Sequence, residues 1–436
     1  MKKIDREVLK EWEKEYEGEK SNTILRHALG KNKISDAVRV GEEEKKINFH
    51  FSLNLDTLPV TNQMASGRCW IFAGCNIIRE KVAKKYNIPD FELSQNYISF
   101  YDKLEKANYF METITSLDIK EKDDRILQHF LLGGIEDGGQ WDMFVNIVNK
   151  YGVVPKLAMP ETYQSSHTTE VNRLINRKLR QFAGYVLEKR ENIEALKKET
   201  KKEIYAILLN AFGLPPEEFD FEYTDKENQY HVMESLTPLS FYQEYCDIDL
   251  NDFVSVIHAP TKDKPFGKTF TVDHLGNVVE GKKVLYLNLE MDRMKELVLK
   301  QLQNLEPVWF GSDCNQFFDR KEGIFHDLAF DYETAFGMNF NMTKEERLDT
   351  LESTMNHAMV ITGANMKDGV IERFKIENSW GDEVGKKGYY VASASWFEKF
   401  VYQVIIHKKY LNEEEKKALE EEPIVLKPWD PMGTLA

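Results

Sequence analysis

The chain has 436 residues, 42% of them apolar and 12% aromatic, enough to build the packed core of two or three domains. An excess of 73 acidic over 58 basic residues leaves a formal charge of −15, which disfavours a phosphate backbone as partner for the surface as a whole. No apolar run reaches the roughly 18 residues of a membrane span, residues 1–20 lack the apolar core of a signal peptide, and four cysteines without a CxxC pair suggest neither a zinc site nor a disulfide framework.

These features point to a cytoplasmic protein without membrane, metal or cofactor. In chain order, residues 1–55 read as a charged amphipathic helix and a polar connector. Residues 56–164 read as a helical subdomain. Within it Ile71, Cys75, Ile78 and Val82 follow helical spacing. Ser66 is the expected N-cap, which would put Cys69 at the third helical position. Cys75 reads as a small buried apolar group. Residues 137–155, "DGGQWDMFVNIVNKYGVVP", read as a glycine loop, a helix and a glycine-terminated exit.

Residues 165–230 read as a helical insertion of two long amphipathic helices, stopped by "GLPPEEF". Its faces are expected to make oligomer contacts. Residues 231–410 read as a β-rich subdomain with strands at 282–289, 307–313, 357–364, 369–380 and 388–393, and a helix at 292–304. Residues 411–436 begin as a charged helix. Pro423, Pro428 and Pro431 then favour an extended arm. A helical first half and a β-rich second half make an α+β fold.

The stretch "NQMASGRCW" carries the first chemical signal. A thiol becomes a good nucleophile as a thiolate, and a helix N-terminus at Cys69 favours that charge. A histidine beside it would take the thiol proton and later protonate the leaving amine. His357 is the best placed. If the strands flanking "NMKDG" pair as a hairpin centred between Lys367 and Asp368, His357 faces Asn378. The amide oxygen of Asn378 would then accept an imidazole N–H and fix the ring. Trp380 would shield that bond from water. The Gln63 side chain and the Cys69 backbone N–H could both point at a developing oxyanion. His326, Asp313 and Asp327 read as a solvated loop cluster rather than a metal site, and HExxH is absent.

"NQMASGRCW", "NHAMVITG" and "ENSWGDEVGKKGYYV" resemble the three catalytic motifs of the papain-like cysteine peptidases, in the same chain order. The "DGG" at 137–139 resembles the glycine pair that holds substrate backbone in that family. The resemblance implies a papain-like fold, with a helical left domain and a β-barrel-like right domain. It implies Cys69 as nucleophile, His357 as acid/base, Asn378 as orienter and Gln63 at the oxyanion hole, with Gly138, Gly139 and Trp380 at the substrate. Arg68 departs from the family's common Cys-Gly-Ser-Cys-Trp, as an intracellular branch would.

The length, the insertion and the final "PWDPMGTLA" make the whole chain resemble the bleomycin hydrolase (aminopeptidase C) branch. That resemblance implies a cysteine aminopeptidase acting on peptides, with no cofactor. It also implies a homohexamer with its sites facing an internal cavity and a C-terminal arm lying in each cleft. The α-carboxylate of Ala436 would there meet the substrate's free α-ammonium. The competing readings are a catalytically silent scaffold of the same fold, a nucleic-acid-binding relative and a metallo-aminopeptidase.

Overall fold

The computed structural model of the chain describes residues 3–118, 122–189 and 191–436. Residues 1–2, 119–121 and 190 fall in the expected N-terminal, helical and insertion segments and lie outside the described residues. The helical half is arranged around Cys69–Tyr86, where Trp70, Ile71, Ala73, Cys75, Ile78 and Val82 are buried. Burial on several sides makes this a central helix rather than a surface one. A Cβ on Gly74 would come within 2.7 Å of the Phe144 ring, so glycine there lets the helix Trp141–Tyr151 pack against it. Gln95–Ser116 lies alongside, its first turn capped by Ser94, whose Oγ accepts the Tyr97 N–H at 3.0 Å.

The two helices of the insertion, Thr169–Lys189 and Ile193–Phe212, pack on Gln95–Ser116. Their apolar stripes, Ile175, Leu179, Phe182 and Val186 on one and Ile204, Leu208 and Phe212 on the other, are buried in the main core. The same helices leave Leu174, Tyr185 and Tyr205 exposed on their outer faces. Exposed apolar side chains also lie on the N-terminal helices Arg6–Gly18 and Lys20–Leu29, which bury no residue and expose Leu9, Trp12 and Ile24. The insertion ends in an antiparallel hairpin, Phe219–Thr224 with Tyr230–Leu236, that the sequence pattern did not reveal.

Among the described residues, eleven strands of the second half and Leu53–Asn54 of the first form one twelve-stranded sheet. Its middle runs, neighbour to neighbour, through Phe253–Ile257, Val401–His407, Val308–Ser312, His357–Lys367, Val370–Glu377 and Tyr389–Ser393. The expected strand at 282–289 is reduced to Tyr286–Asn288. The helix Met291–Gln303 covers the sheet, burying Met294, Leu297, Val298 and Leu302. Val401–His407 is almost wholly buried and was not expected as a strand. It follows the helix Ala394–Phe400 directly, and a strand buried on both faces shows no alternation to mark the change.

The catalytic-motif hairpin differs from expectation in register. The expected pairing would have set Val360 opposite Lys375; it faces Glu377, and Ile361 faces Ile376. Two irregularities, at Ile361/Gly363 and Asn365/Met366, interrupt the ladder. Outside Gly363–Asn365, where the irregularities make it three, the displacement is two residues, which keeps a side chain on its face of the sheet, whereas a slip of one would have turned it over.

The C-terminal arm is extended only in part. After the helix Glu413–Ala418, Ile424–Leu426 pairs parallel to Thr269–Val272. The arm then closes into a 3₁₀ turn at Pro431–Gly433, with Gly433 N–H donating to Asp430 O at 2.9 Å. Asp430 is anchored by Lys264 at 2.9 Å.

Candidate active site

Cys69 is the first residue of its helix, not the third. Arg68 occupies the cap position, and its side chain accepts no capping bond. Ser66, the expected cap, donates its hydroxyl to Gln63 O at 2.6 Å and accepts from Arg68 Nε at 2.9 Å. The Arg68 guanidinium is buried and grips Glu161 with two parallel bonds, 3.0 and 2.9 Å. Such a fork holds a loop more rigidly than a single bond. Its partner, 93 residues away, was not legible in the sequence.

The sulfur of Cys69 accepts the Ala358 N–H at 3.4 Å, so the thiol abuts the strand that begins with His357. Burial pushes the thiol up to about 11; the N–H groups of Ala358, Trp70 and Cys69 itself oppose that shift, and Asp137 adds to it. Burial likewise pushes His357 down to about 4, against the bond from Asn378. The helix terminus, expected to lower the thiol, is outweighed here by desolvation.

His357 Nε2 lies 2.8 Å from Asn378 Oδ1. The same oxygen accepts the Ser379 N–H at 2.8 Å, which fixes the orientation of the amide. The imidazole therefore carries its proton on Nε2 and leaves Nδ1 free to accept one. The Trp380 ring stacks on the imidazole, centroids 4.7 Å apart and tilted by 27°. Gln63 is tied on three sides. Its backbone N–H donates to Ser379 O at 2.8 Å, its Oε1 accepts from Ser379 Oγ at 2.7 Å and its Nε2 donates to Ser66 O at 2.5 Å.

Gln63, Cys69, Gly138 and His357 line one cleft of about 720 Å³, and Thr434, Leu435 and Ala436 lie in it with them. Gly138 packs against the carbonyl of Leu435 so closely that a Cβ would overlap it. Gly139 faces the other way: a Cβ there would lie 2.5 Å from the Trp70 indole. It permits packing behind the cleft wall and does not line the cleft. Gly433 has no comparable constraint, since the atoms nearest to its Cβ position are 3.6 Å away. His326 and Asp327 approach to 3.6 Å, whereas Asp313 is bound to Ser353 and Asn356. Among the described residues no His, Cys, Asp and Glu group has the makings of a metal site, and no helix is long and apolar enough to cross a membrane.

The model of the Peptidase C1-like family matches residues 3–433. The chain belongs to that family. As a member of the Peptidase C1-like family it is 44% identical to an aminopeptidase C of Listeria monocytogenes, over 99% of this chain and 98% of that one. It is 46% identical to an aminopeptidase C of Lactococcus lactis, over 97% and 98%. A bleomycin hydrolase of Rattus norvegicus shares 40% identity over 87% of this chain and 86% of its own. The crystal structure of PepW from Lactobacillus rhamnosis superposes with a TM-score of 0.97 at 44% identity, covering 100% of this chain and 99% of that one. The papain-like α+β fold expected from the sequence is thus the fold of this Peptidase C1-like chain.

Proposed function

We propose that the protein is a cysteine aminopeptidase in which Cys69 attacks the first peptide bond of a substrate with a free amino end. The observation that carries this reading is the arm: Thr434–Ala436 lie in the cleft that also holds Cys69 and His357. A cleft filled on one side of the nucleophile accepts little chain upstream of the scissile bond. In this reading Nδ1 of His357 takes the thiol proton as the sulfur attacks the carbonyl carbon. The thiolate and the imidazolium form together, so neither charge stands alone in the buried site. The Cys69 N–H and the second N–H of Gln63 Nε2 meet the oxyanion; the first is engaged by Ser66 O. The imidazolium then protonates the leaving amine, and water attacks the acyl-enzyme with His357 as base. The α-carboxylate of Ala436 pairs with the substrate's α-ammonium.

The test compares a free-amine peptide with its N-acetylated twin, before and after removal of Met432–Ala436. We expect the intact enzyme to cleave the first alone and the truncated one to accept both. Rejection of the blocked peptide by a truncated, active enzyme would overturn the gate. Activity lost to a thiol reagent, with modification at Cys69 alone, separates the enzyme from a silent scaffold.

We also place the protein in the cytoplasm as a homohexamer. Four free, buried cysteines suit a reducing compartment, and the exposed apolar side chains of the N-terminal helices suit subunit contacts. Sedimentation analysis at several concentrations tests the assembly, and a monomer throughout would refute it.

A further inference from the structure

The cleft has a wall that the catalytic motifs do not supply. Residues 135–138 form it, facing the nucleophile loop at Gln63–Gly67. Asn176, on the helix Thr169–Lys189, pairs with both polar groups of one residue in this wall. Its Oδ1 accepts the Ile135 N–H at 2.7 Å and its Nδ2 donates to Ile135 O at 3.0 Å. Gly134 makes room for that pairing: it sits at φ +65°, and a Cβ would overlap the Asn176 amide. Glycine is required there on both counts.

One turn earlier, Asn172 Nδ2 donates to Asp137 Oδ1 at 2.8 Å, and its own Oδ1 accepts from Lys103 Nζ at 2.6 Å. One turn earlier again, the Thr168 hydroxyl donates to Asp137 Oδ2. That oxygen also accepts the Gly67 N–H at 2.8 Å. Burial alone would raise the Asp137 carboxyl. Lys103, with the donors Thr168 and Asn172, outweighs it and holds the group well below the usual carboxylate range. Asn172 and Asn176 lie four residues apart on one helix face, Thr168 immediately precedes that helix, and all three line the cleft.

We propose that Thr168, Asn172 and Asn176 are positioning residues for the peptide substrate: a polar ladder that holds the wall at Ile135–Gly138 in register with the nucleophile loop. The inference rests on the aminopeptidase reading and goes beyond it by making the insertion part of the site. The arm residues Leu435 and Ala436, which lie against Gly138 and border the place of the substrate, are registered to Cys69 through a continuous path, from Asn176 and Asn172 to Asp137 and on to Gly67. A misplacement on the order of 1 Å at such a wall is enough to lose much of the productive alignment. The ladder touches neither the thiol nor the imidazole, so its loss should be felt by peptides and not by a small reagent that needs no wall.

The experiment uses the full chain with Asn172→Ala and Asn176→Ala, made singly. Two rates are measured: turnover of a free-amine peptide, and alkylation of Cys69 by iodoacetamide. We expect kcat/KM to fall about tenfold or more, chiefly through KM, with alkylation within about twofold of the unmodified enzyme. A folded variant with unchanged kcat/KM overturns the proposal. So does an equal fall in both rates, which would mean damage to the Cys69–His357 pair itself. If Asn176→Ala does not fold, Asn176→Asp replaces it. That variant keeps the acceptor for the Ile135 N–H and loses the donor to Ile135 O; the same split is expected, and unchanged KM overturns the idea. An unmodified enzyme that leaves the free-amine peptide intact refutes the aminopeptidase reading instead, which keeps the two failures apart.

Discussion

Cys69→Ser retains the size of the side chain and the Ala358 N–H partner. Its hydroxyl is far too weak an acid to form the ion pair with His357. We expect a folded protein with less than a few per cent of the original turnover; substantial steady-state activity would remove Cys69 from its role. Asn378→Ala deletes the acceptor that holds the imidazole tautomer. The expected loss in kcat is on the order of ten- to a thousandfold, with substrate binding less affected. A third residue bears on stability. Burial, with the neighbouring Glu377 adding, raises the Glu80 carboxyl to about 7, against Arg79 and the Leu58 N–H. An acid whose folded pKa is raised binds its proton more tightly when folded. The contribution of Glu80 to stability is therefore greatest below the ordinary carboxyl range and is lost as pH rises through about 7. Glu80→Gln keeps an acceptor for the Leu58 N–H. It should stabilise the protein on the order of 1–3 kcal/mol at about pH 8 and little at about pH 5. Denaturant titration at the two pH values checks this, and equal effects at both would contradict the shift.

At the scale of elements, the arm is held by its side chains. Met432 and Leu435 are buried, Tyr286 donates its hydroxyl to Met432 O at 3.1 Å and Thr434 Oγ1 donates to Met355 O at 2.9 Å. Leu435→Ala should remove about 2–4 kcal/mol of anchoring and let an N-acetylated peptide compete for the cleft. Cleavage of that peptide should rise above background; none at all would mean that the turn and its hydrogen bonds suffice. Much of this level was legible in the sequence. The Cys69 helix, the helix at 291–303 and the strands at 308–312 and 389–393 follow from spacing and turn residues. The meeting of His357 and Asn378 survived a register displaced by two because parity, rather than exact pairing, sets the face. What stayed hidden was set by distant partners. Arg68 rather than Ser66 stands at the cap position, and its guanidinium is held by Glu161, 93 residues on. Val401–His407 lacks alternation because both of its faces are buried. The turn at Pro431–Gly433 depends on Asp430, whose side chain takes the Met432 N–H and pairs with Lys264.

For the whole molecule, the insertion decides whether the helical half exists. Its helices supply Ile175, Leu179, Phe182, Val186, Ile204, Leu208 and Phe212 to the common core. A buried aliphatic or aromatic side chain contributes roughly 1.5–3 kcal/mol, so seven of them exceed the margin by which a domain is usually stable. We expect a variant without residues 165–230 to lose its cooperative unfolding transition and its activity together. A soluble, cooperatively folded deletion variant, seen by circular dichroism, would show that the core closes without it.

The segment Thr434–Ala436 also bears on which compounds could inhibit this protein. It is tethered in the cleft it occupies, and a tethered segment acts at an effective concentration of about a millimolar or more. An inhibitor reaching to the upstream side of Cys69 must displace it and loses affinity accordingly. Compounds that stay on the leaving-group side meet no such competitor. A matched pair of inhibitors, one for each side, would thus tell a cleft filled by its own chain from one open throughout.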